Sequence, residues 1–131
     1  MSKNPVIHFE MPYDDAERVA KFYTDVFGWN MVRTGEEMGN YITAATAETD
    51  ENRMVKTAGT INGGFYPLKV APESKEPSVV ISVEDLQTAM KNVEAAGGKL
   101  LGEPRDIPGI GRWVSFKDTE GNRVSLLQAS N

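Results

Sequence analysis

Residues 7–31, IHFEMPYDDAERVAKFYTDVFGWNM, and residues 77–101, PSVVISVEDLQTAMKNVEAAGGKLL, decide how this chain is read. They align at a constant offset of 70, which sets Asp15 on Asp85 and Gly28 on Gly98. At the same offset Ala16, Val19, Ala20 and Tyr23 fall on Leu86, Ala89, Met90 and Val93. Those are the i, i+3, i+4, i+7 positions of an amphipathic helix, so the repeat preserves a buried face and not merely a composition. An internal repeat of this kind predicts two copies of one structural unit.

Working outward, each copy opens with a short apolar strand, at residues 6–11 and 78–83. An acidic helix start follows. Asp14 with Glu17 three residues on reads as an N-cap and capping box, and Glu84 with Gln87 reads as a weaker version. Acidic residues there also suit the positive end of the helix dipole. Gly28, and the pair Gly97 and Gly98, supply the left-handed residue that ends a helix. Strand-like runs then cover 29–34, 41–45 and 60–66 in the first copy, and 99–103, 112–117 and 123–128 in the second. The last two runs are joined by DTEG at 118–121, a tight-turn sequence.

The unit is therefore strand–helix–strand–strand–strand, written βαβββ, present twice. The predicted class is α+β, with one domain over residues 1–131. Unit 1 covers about 4–67, a linker LKVAPESKEP covers 68–77, and unit 2 covers about 78–129. Residues 46–56 and the DIPGIG run at 106–111 are predicted loops, of the kind that rim a binding cleft. Phe22, Tyr23 and Phe27, at helical spacing, are predicted core.

Composition narrows the functions. The chain has 131 residues, 40% apolar and 25% charged, which suits a soluble globular domain. A chain of that length buries roughly two-thirds of its unfolded surface without a disulfide or structural metal. With no cysteine it offers no zinc ribbon, iron–sulfur cluster or thiol nucleophile. A net charge of −5 argues against general affinity for nucleic acid or anionic membrane. No run approaches the ~20 apolar residues of a membrane span. The opening MSKNPVIHFEMP is too interrupted for a signal peptide. The expectation is a cytoplasmic protein that holds or transforms something small.

Three stretches resemble the vicinal oxygen chelate superfamily: HFEMPYDDAERVAKFYTDVFGW (8–29), VEDLQTAMKNVEAAGGKL (83–100) and the closing FKDTEGNRVSLLQ (116–128). That superfamily includes glyoxalase I, extradiol dioxygenases, methylmalonyl-CoA epimerase and the fosfomycin- and bleomycin-resistance proteins. Within it, the HFE opening, INGGF (61–65) and IPGIGRW (107–113) most resemble a glyoxalase-like subgroup whose chemistry is largely unassigned. The resemblance implies two βαβββ units forming curved mixed sheets around a cavity. In the family's metalloenzymes, side chains from the first and last strands of each unit hold a divalent ion, usually two His and two Glu. Such a set leaves open positions where two substrate oxygens chelate.

Carried across residue by residue, only the first-strand position of unit 1 matches, as His8. Its counterpart in unit 2 is Ser78, the last-strand position of unit 2 is Ser125, and that of unit 1 is Gly63 or Gly64. Serine hydroxyls are poor ligands for first-row metals and glycine has no side chain, so no metal site and no cofactor are expected.

The candidate catalytic residues are His8, the chain's single histidine, and Glu10, which alternation places on the same side of the strand. The plainer readings are a histidine packed in the cavity wall and a carboxylate reaching solvent. Ser78, Ser125, Gly63, Gly64, Trp113 and Arg112 are candidate substrate-binding residues. The glycines would let a ligand lie against the backbone, Trp113 would stack on it, and Arg112 would meet an anionic group. Two functions stand open: a glyoxalase-like lyase or isomerase acting on a small oxygen-bearing metabolite, or a non-catalytic binder that sequesters a drug-sized molecule as the bleomycin-resistance proteins do. The resemblance further implies a homodimer.

Overall fold

Strand β1 (Val6–Tyr13) shows the alternation on which the N-terminal unit is built. Phe9, Met11 and Tyr13 turn to one face, where they pack with Ile42, Ala44 and Phe65. Helix α1 (Ala16–Phe27) closes that face with Ala16, Val19 and Tyr23. His8, Glu10 and Pro12 turn the other way. Strands β2 (Asn30–Arg33), β3 (Ile42–Ala45) and β4 (Asn62–Pro67) pair antiparallel in that order, and β4 lies parallel to β1. Tyr23, Phe27, Trp29, Phe9 and Phe65 form a ring cluster, with Tyr23 stacked on Trp29 at 4.7 Å between centroids.

The C-terminal unit repeats the plan. Strand β5 (Ser78–Ser82) leads to helix α2 (Leu86–Ala95), then β6 (Lys99–Ile107), β7 (Gly111–Lys117) and β8 (Arg123–Ala129). Strands β6, β7 and β8 pair antiparallel and β8 lies parallel to β5. Val83, Leu86, Val114 and Leu126 form its core, with Ile81, Ala89, Met90, Val93 and Phe116 packed around them. Leu86 is fully buried, which stabilises the fold by about 1.5–3 kcal/mol.

This computed structural model describes residues 3–71 and 75–130. Residues 72–74 of the expected linker, with 1, 2 and 131, lie outside the described residues. By its contacts the chain divides into residues 8–77 and residues 78–131, and the segment up to Ile7 goes with the latter. There the Ser82 N–H donates to the Pro5 carbonyl at 2.9 Å. Among the described residues no helix is long and apolar enough to cross a membrane.

The tandem βαβββ topology is as the repeat predicts, and the helix faces are those the offset of 70 aligned. Four local expectations are corrected. The N-caps are Asp15 and Asp85, one residue beyond the predicted Asp14 and Glu84. Asp15 accepts from the Arg18 N–H at 3.0 Å, and Asp85 from Gln87 and Thr88. These two aspartates are the pair the repeat aligns, so register located what the capping box misplaced. Second, Phe22 and Phe27 are 53% and 59% exposed, so only Tyr23 of the three is core. Phe22 lies one position off the buried stripe, and Phe27 ends the helix, touching the rings of Tyr23 and Trp29. Third, half of DIPGIG is ladder. Asp106 pairs with Arg112 and Ile107 with Gly111, leaving a three-residue turn at 108–110 that contains the proline. Fourth, the linker opens with a single 3₁₀ turn, Leu68–Val70, closed by the Ala71 N–H on the Leu68 carbonyl at 3.0 Å.

Candidate functional site

Away from α1, the N-terminal sheet presents a face whose composition follows from pairing register. His8 lies opposite Asn62, Glu10 opposite Gly64, and Thr43 opposite Gly64 from the other side. Tyr41, two residues before Thr43, shares this face by alternation. The Tyr41 hydroxyl joins the two candidate catalytic residues. It donates to Glu10 Oε2 at 3.0 Å, and His8 Nε2 lies 3.0 Å from the Tyr41 hydroxyl oxygen itself. The result is a continuous His8–Tyr41–Glu10 array within one unit. Glu10 is buried at 7% exposure, which rules out the solvent-reaching alternative.

Gly63 and Gly64 make this packing possible, for a reason different from the predicted one. A Cβ on Gly64 would stand 2.0 Å from the Tyr41 hydroxyl oxygen, and one on Gly63 would stand 2.4 Å from the Phe9 ring. The space over each glycine is filled by an aromatic ring of the protein itself and not left for a ligand. Asn62 holds the adjoining loop: its Oδ1 accepts from the Thr46 and Ala47 N–H groups, each at 2.8 Å.

The electrostatics favour neutral partners around the carboxylate. Burial holds the His8 imidazole below its ordinary pKa. Burial first, and then the charge and hydrogen bond of Glu10, push the Tyr41 phenol well above the usual tyrosine range. Both groups are therefore uncharged at neutral pH, and the phenol remains a proton donor.

The remaining predicted residues belong to the C-terminal unit. Ser125 is fully buried, and its Oγ lies 2.9 Å from the Ser115 Oγ. The buried Ser78 Oγ has no protein hydrogen-bond partner among the described residues. Ser125 and Trp113 share the face turned away from α2, where the Arg123 guanidinium sits 5.9 Å from the Trp113 ring centre. Arg112 does not join them. It alternates to the opposite face with Val114 and donates from Nε to Asp106 Oδ1 at 2.9 Å.

Tyr41 is the site residue that sequence reading missed. A tyrosine opening a strand-like run looks like an ordinary strand former, and its role appears only once β3 is registered against β4. The signal available was parity: Tyr41 lies an even number of residues from Thr43, across from a glycine pair able to admit a ring.

Comparison with known proteins agrees with this architecture. A "Probable lactoylglutathione lyase" of Vibrio parahaemolyticus is 29% identical over 98% of this chain and 93% of its own length. A "Glyoxylase-like domain-containing protein" of Didymella fabae is 30% identical over 89% of this chain and 88% of its own. Among solved structures, Streptomyces coelicolor methylmalonyl-CoA epimerase in complex with 2-nitronate-propionyl-CoA superposes with a TM-score of 0.70 over 99% of this chain and 100% of that one, at 15% identity. That likeness is one of fold. Residues 6–126, nearly the whole chain, match the Glyoxalase/Bleomycin resistance protein/Dioxygenase superfamily, and the chain belongs to it.

Proposed function

We propose that this chain acts on a small oxygen-bearing metabolite by moving a proton at a carbon beside a carbonyl, with the His8–Tyr41–Glu10 array as its acid–base group and without a resident first-row metal. The observation that carries the reading is the single phenol hydroxyl shared at 3.0 Å by an imidazole and a buried carboxylate. An imidazole kept neutral at physiological pH is able to accept a proton, and a hydrogen-bonded carboxylate stabilises the imidazolium that results. The relatives named lactoylglutathione lyase support this reaction class.

The metal that the superfamily implies does not fit these residues. Where the last strand of unit 1 would present a carboxylate stands Gly64, and the Tyr41 ring fills the space above it. His8 Nε2 and Glu10 Oε2 are both engaged with the Tyr41 hydroxyl. Ser78 and Ser125 offer only neutral hydroxyls, and that of Ser125 is taken up by Ser115. Among the described residues no three of His, Cys, Asp and Glu gather into a group suited to an ion.

The test is hydrogen–deuterium exchange from solvent into ketoaldehyde–thiol adducts and 2-methyl acyl thioesters, followed by NMR on chelator-treated protein. Exchange that survives chelation and falls at least about a hundredfold in His8→Ala supports the proposal. Exchange that requires an added transition metal, or one equivalent of such a metal in the purified protein, overturns the metal-free part. Saturable thermal stabilisation by these compounds with no exchange would make the chain a binder instead. A cytoplasmic homodimer belongs to the same proposal; Phe22, Val26 and Val32 leave apolar surface exposed on the N-terminal unit. Light scattering of the purified chain gives its mass.

A further inference from the structure

We propose that Tyr41 fixes the tautomer of His8, holding its proton on Nε2 and leaving Nδ1 as the basic nitrogen of the site. Counting protons leads there. A phenol has one hydrogen to give, and Tyr41 gives it to Glu10 Oε2 at 3.0 Å. A carboxylate offers no proton in return. Toward His8 Nε2, also at 3.0 Å, the phenol oxygen therefore has only lone pairs to present. A bare Nε2 would set lone pair against lone pair at hydrogen-bond distance, whereas an Nε2–H turns the contact into a hydrogen bond. A neutral imidazole carries one ring hydrogen, so placing it on Nε2 empties Nδ1. Among the described residues no protein group is hydrogen-bonded to Nδ1, so nothing competes for the choice.

Three features keep the arrangement in place. Burial lowers the His8 pKa, so the ring has no second proton to blur the assignment. The phenol, pushed well above the usual tyrosine range by burial and by Glu10, keeps its proton at neutral pH. The absence of a Cβ on Gly64 allows the Tyr41 ring to lie where both contacts form. Tyr41 is thus a positioning residue acting through His8, as the orienting partner of a histidine base does elsewhere. That Nδ1 receives the substrate proton rests on the proton-transfer reading above; the tautomer does not.

The chain has one histidine, so ¹⁵N NMR of the labelled full-length protein reads its two ring nitrogens without ambiguity. At pH 8 the wild type should show a pyrrole-like Nε2 and a pyridine-like Nδ1. In Tyr41→Phe, which keeps the ring and removes the hydroxyl, both shifts should move toward intermediate values as the two tautomers mix. A pyridine-like Nε2 in the wild type overturns the proposal, since it means the proton runs from Glu10 through Tyr41 to His8. A pure Nε2–H tautomer retained in folded Tyr41→Phe overturns it equally. Should Tyr41→Phe fail to fold, Glu10→Leu provides the second variant. It removes the acceptor of the phenol proton, which is then free to turn to Nε2, so Nε2 should turn pyridine-like; an unchanged tautomer overturns the proposal. Absence of solvent exchange would defeat the functional reading while leaving the tautomer as measured, so the two failures are separable.

Discussion

The two units share a backbone plan and differ in chemistry. Register makes the comparison exact enough to pair positions: Glu10 faces Gly64 across the parallel pair of the first unit as Val80 faces Ser125 in the second. Thr43 then corresponds to Ser115, Tyr41 to Trp113, and His8 to Ser78. Where the N-terminal sheet carries an imidazole, a phenol and a carboxylate in one hydrogen-bonded line, the C-terminal sheet carries hydroxyls, an indole and a valine. The helix-facing positions, by contrast, are apolar in both: Ile42, Ala44 and Phe65 in one, Val114 and Leu126 in the other. Duplication preserved the face that folds and diversified the face that does not have to. The paired glycine and serine, Gly64 and Ser125, mark the difference most sharply. One gives up its side chain so that a neighbouring ring can lie flat, and the other fills the same place with a hydroxyl satisfied by its neighbour.

That contrast can be broken at those positions. The largest effect is expected for Gly64→Ala, because the new Cβ meets the Tyr41 hydroxyl oxygen at 2.0 Å and displaces the whole array. Overpacking of this kind costs about 3 kcal/mol, to be read from urea unfolding. A variant as stable as wild type would mean that the ring moves aside freely and that the close packing has no role.

An intermediate effect is expected at the matching place in the other unit. Ser125→Ala leaves the buried Ser115 hydroxyl without its partner and should cost about 1–2 kcal/mol. Removing both hydroxyls together, Ser115→Ala with Ser125→Ala, should recover most of that loss, since two apolar groups leave nothing unsatisfied. Strictly additive losses would argue against the pairing.

The smallest effect is one that only the N-terminal unit can show, because Ser78 does not titrate where His8 does. Burial lowers the folded pKa of His8 below the ordinary 6.5. Above 6.5 the ring is neutral in both states and pH has no influence through it. Below 6.5 the unfolded chain binds a proton that the folded chain refuses, so stability falls as pH drops toward the folded value. How strongly burial lowers the ring's pKa sets where that fall ends. The difference between wild type and His8→Gln across this window isolates the contribution. Stability rising on acidification would reverse the sign assigned to the burial of His8.

What the sequence made legible follows the same divide. The helix faces could be read because an offset of 70 repeated them, and because helical periodicity is a property of a single segment. The caps were readable to within a residue, since both aspartates are short acceptors placed just before an apolar stripe. Tyr41 was not legible: its partners come from β1 and β4, and only the pairing of β3 fixes which way it points. Gly63 and Gly64 were recognised as making room, but what would fill that room depends on Phe9 and Tyr41, distant in sequence. Arg112 shows the converse. Adjacency to Trp113 suggested a shared wall, yet neighbouring residues on a strand face opposite ways, and Arg112 pairs with Asp106.

One feature of β1 bears on how the molecule assembles. Its first residues belong with the C-terminal unit, through the Pro5 carbonyl and the Ser82 N–H, while the strand from His8 onward belongs with the N-terminal unit. That stretch is thus synthesised before the whole N-terminal unit, and its partner in β5 only after it. On a translating ribosome it must wait, unpaired, until β5 has emerged. Such long-range closure slows folding relative to a chain whose repeats finish one after the other.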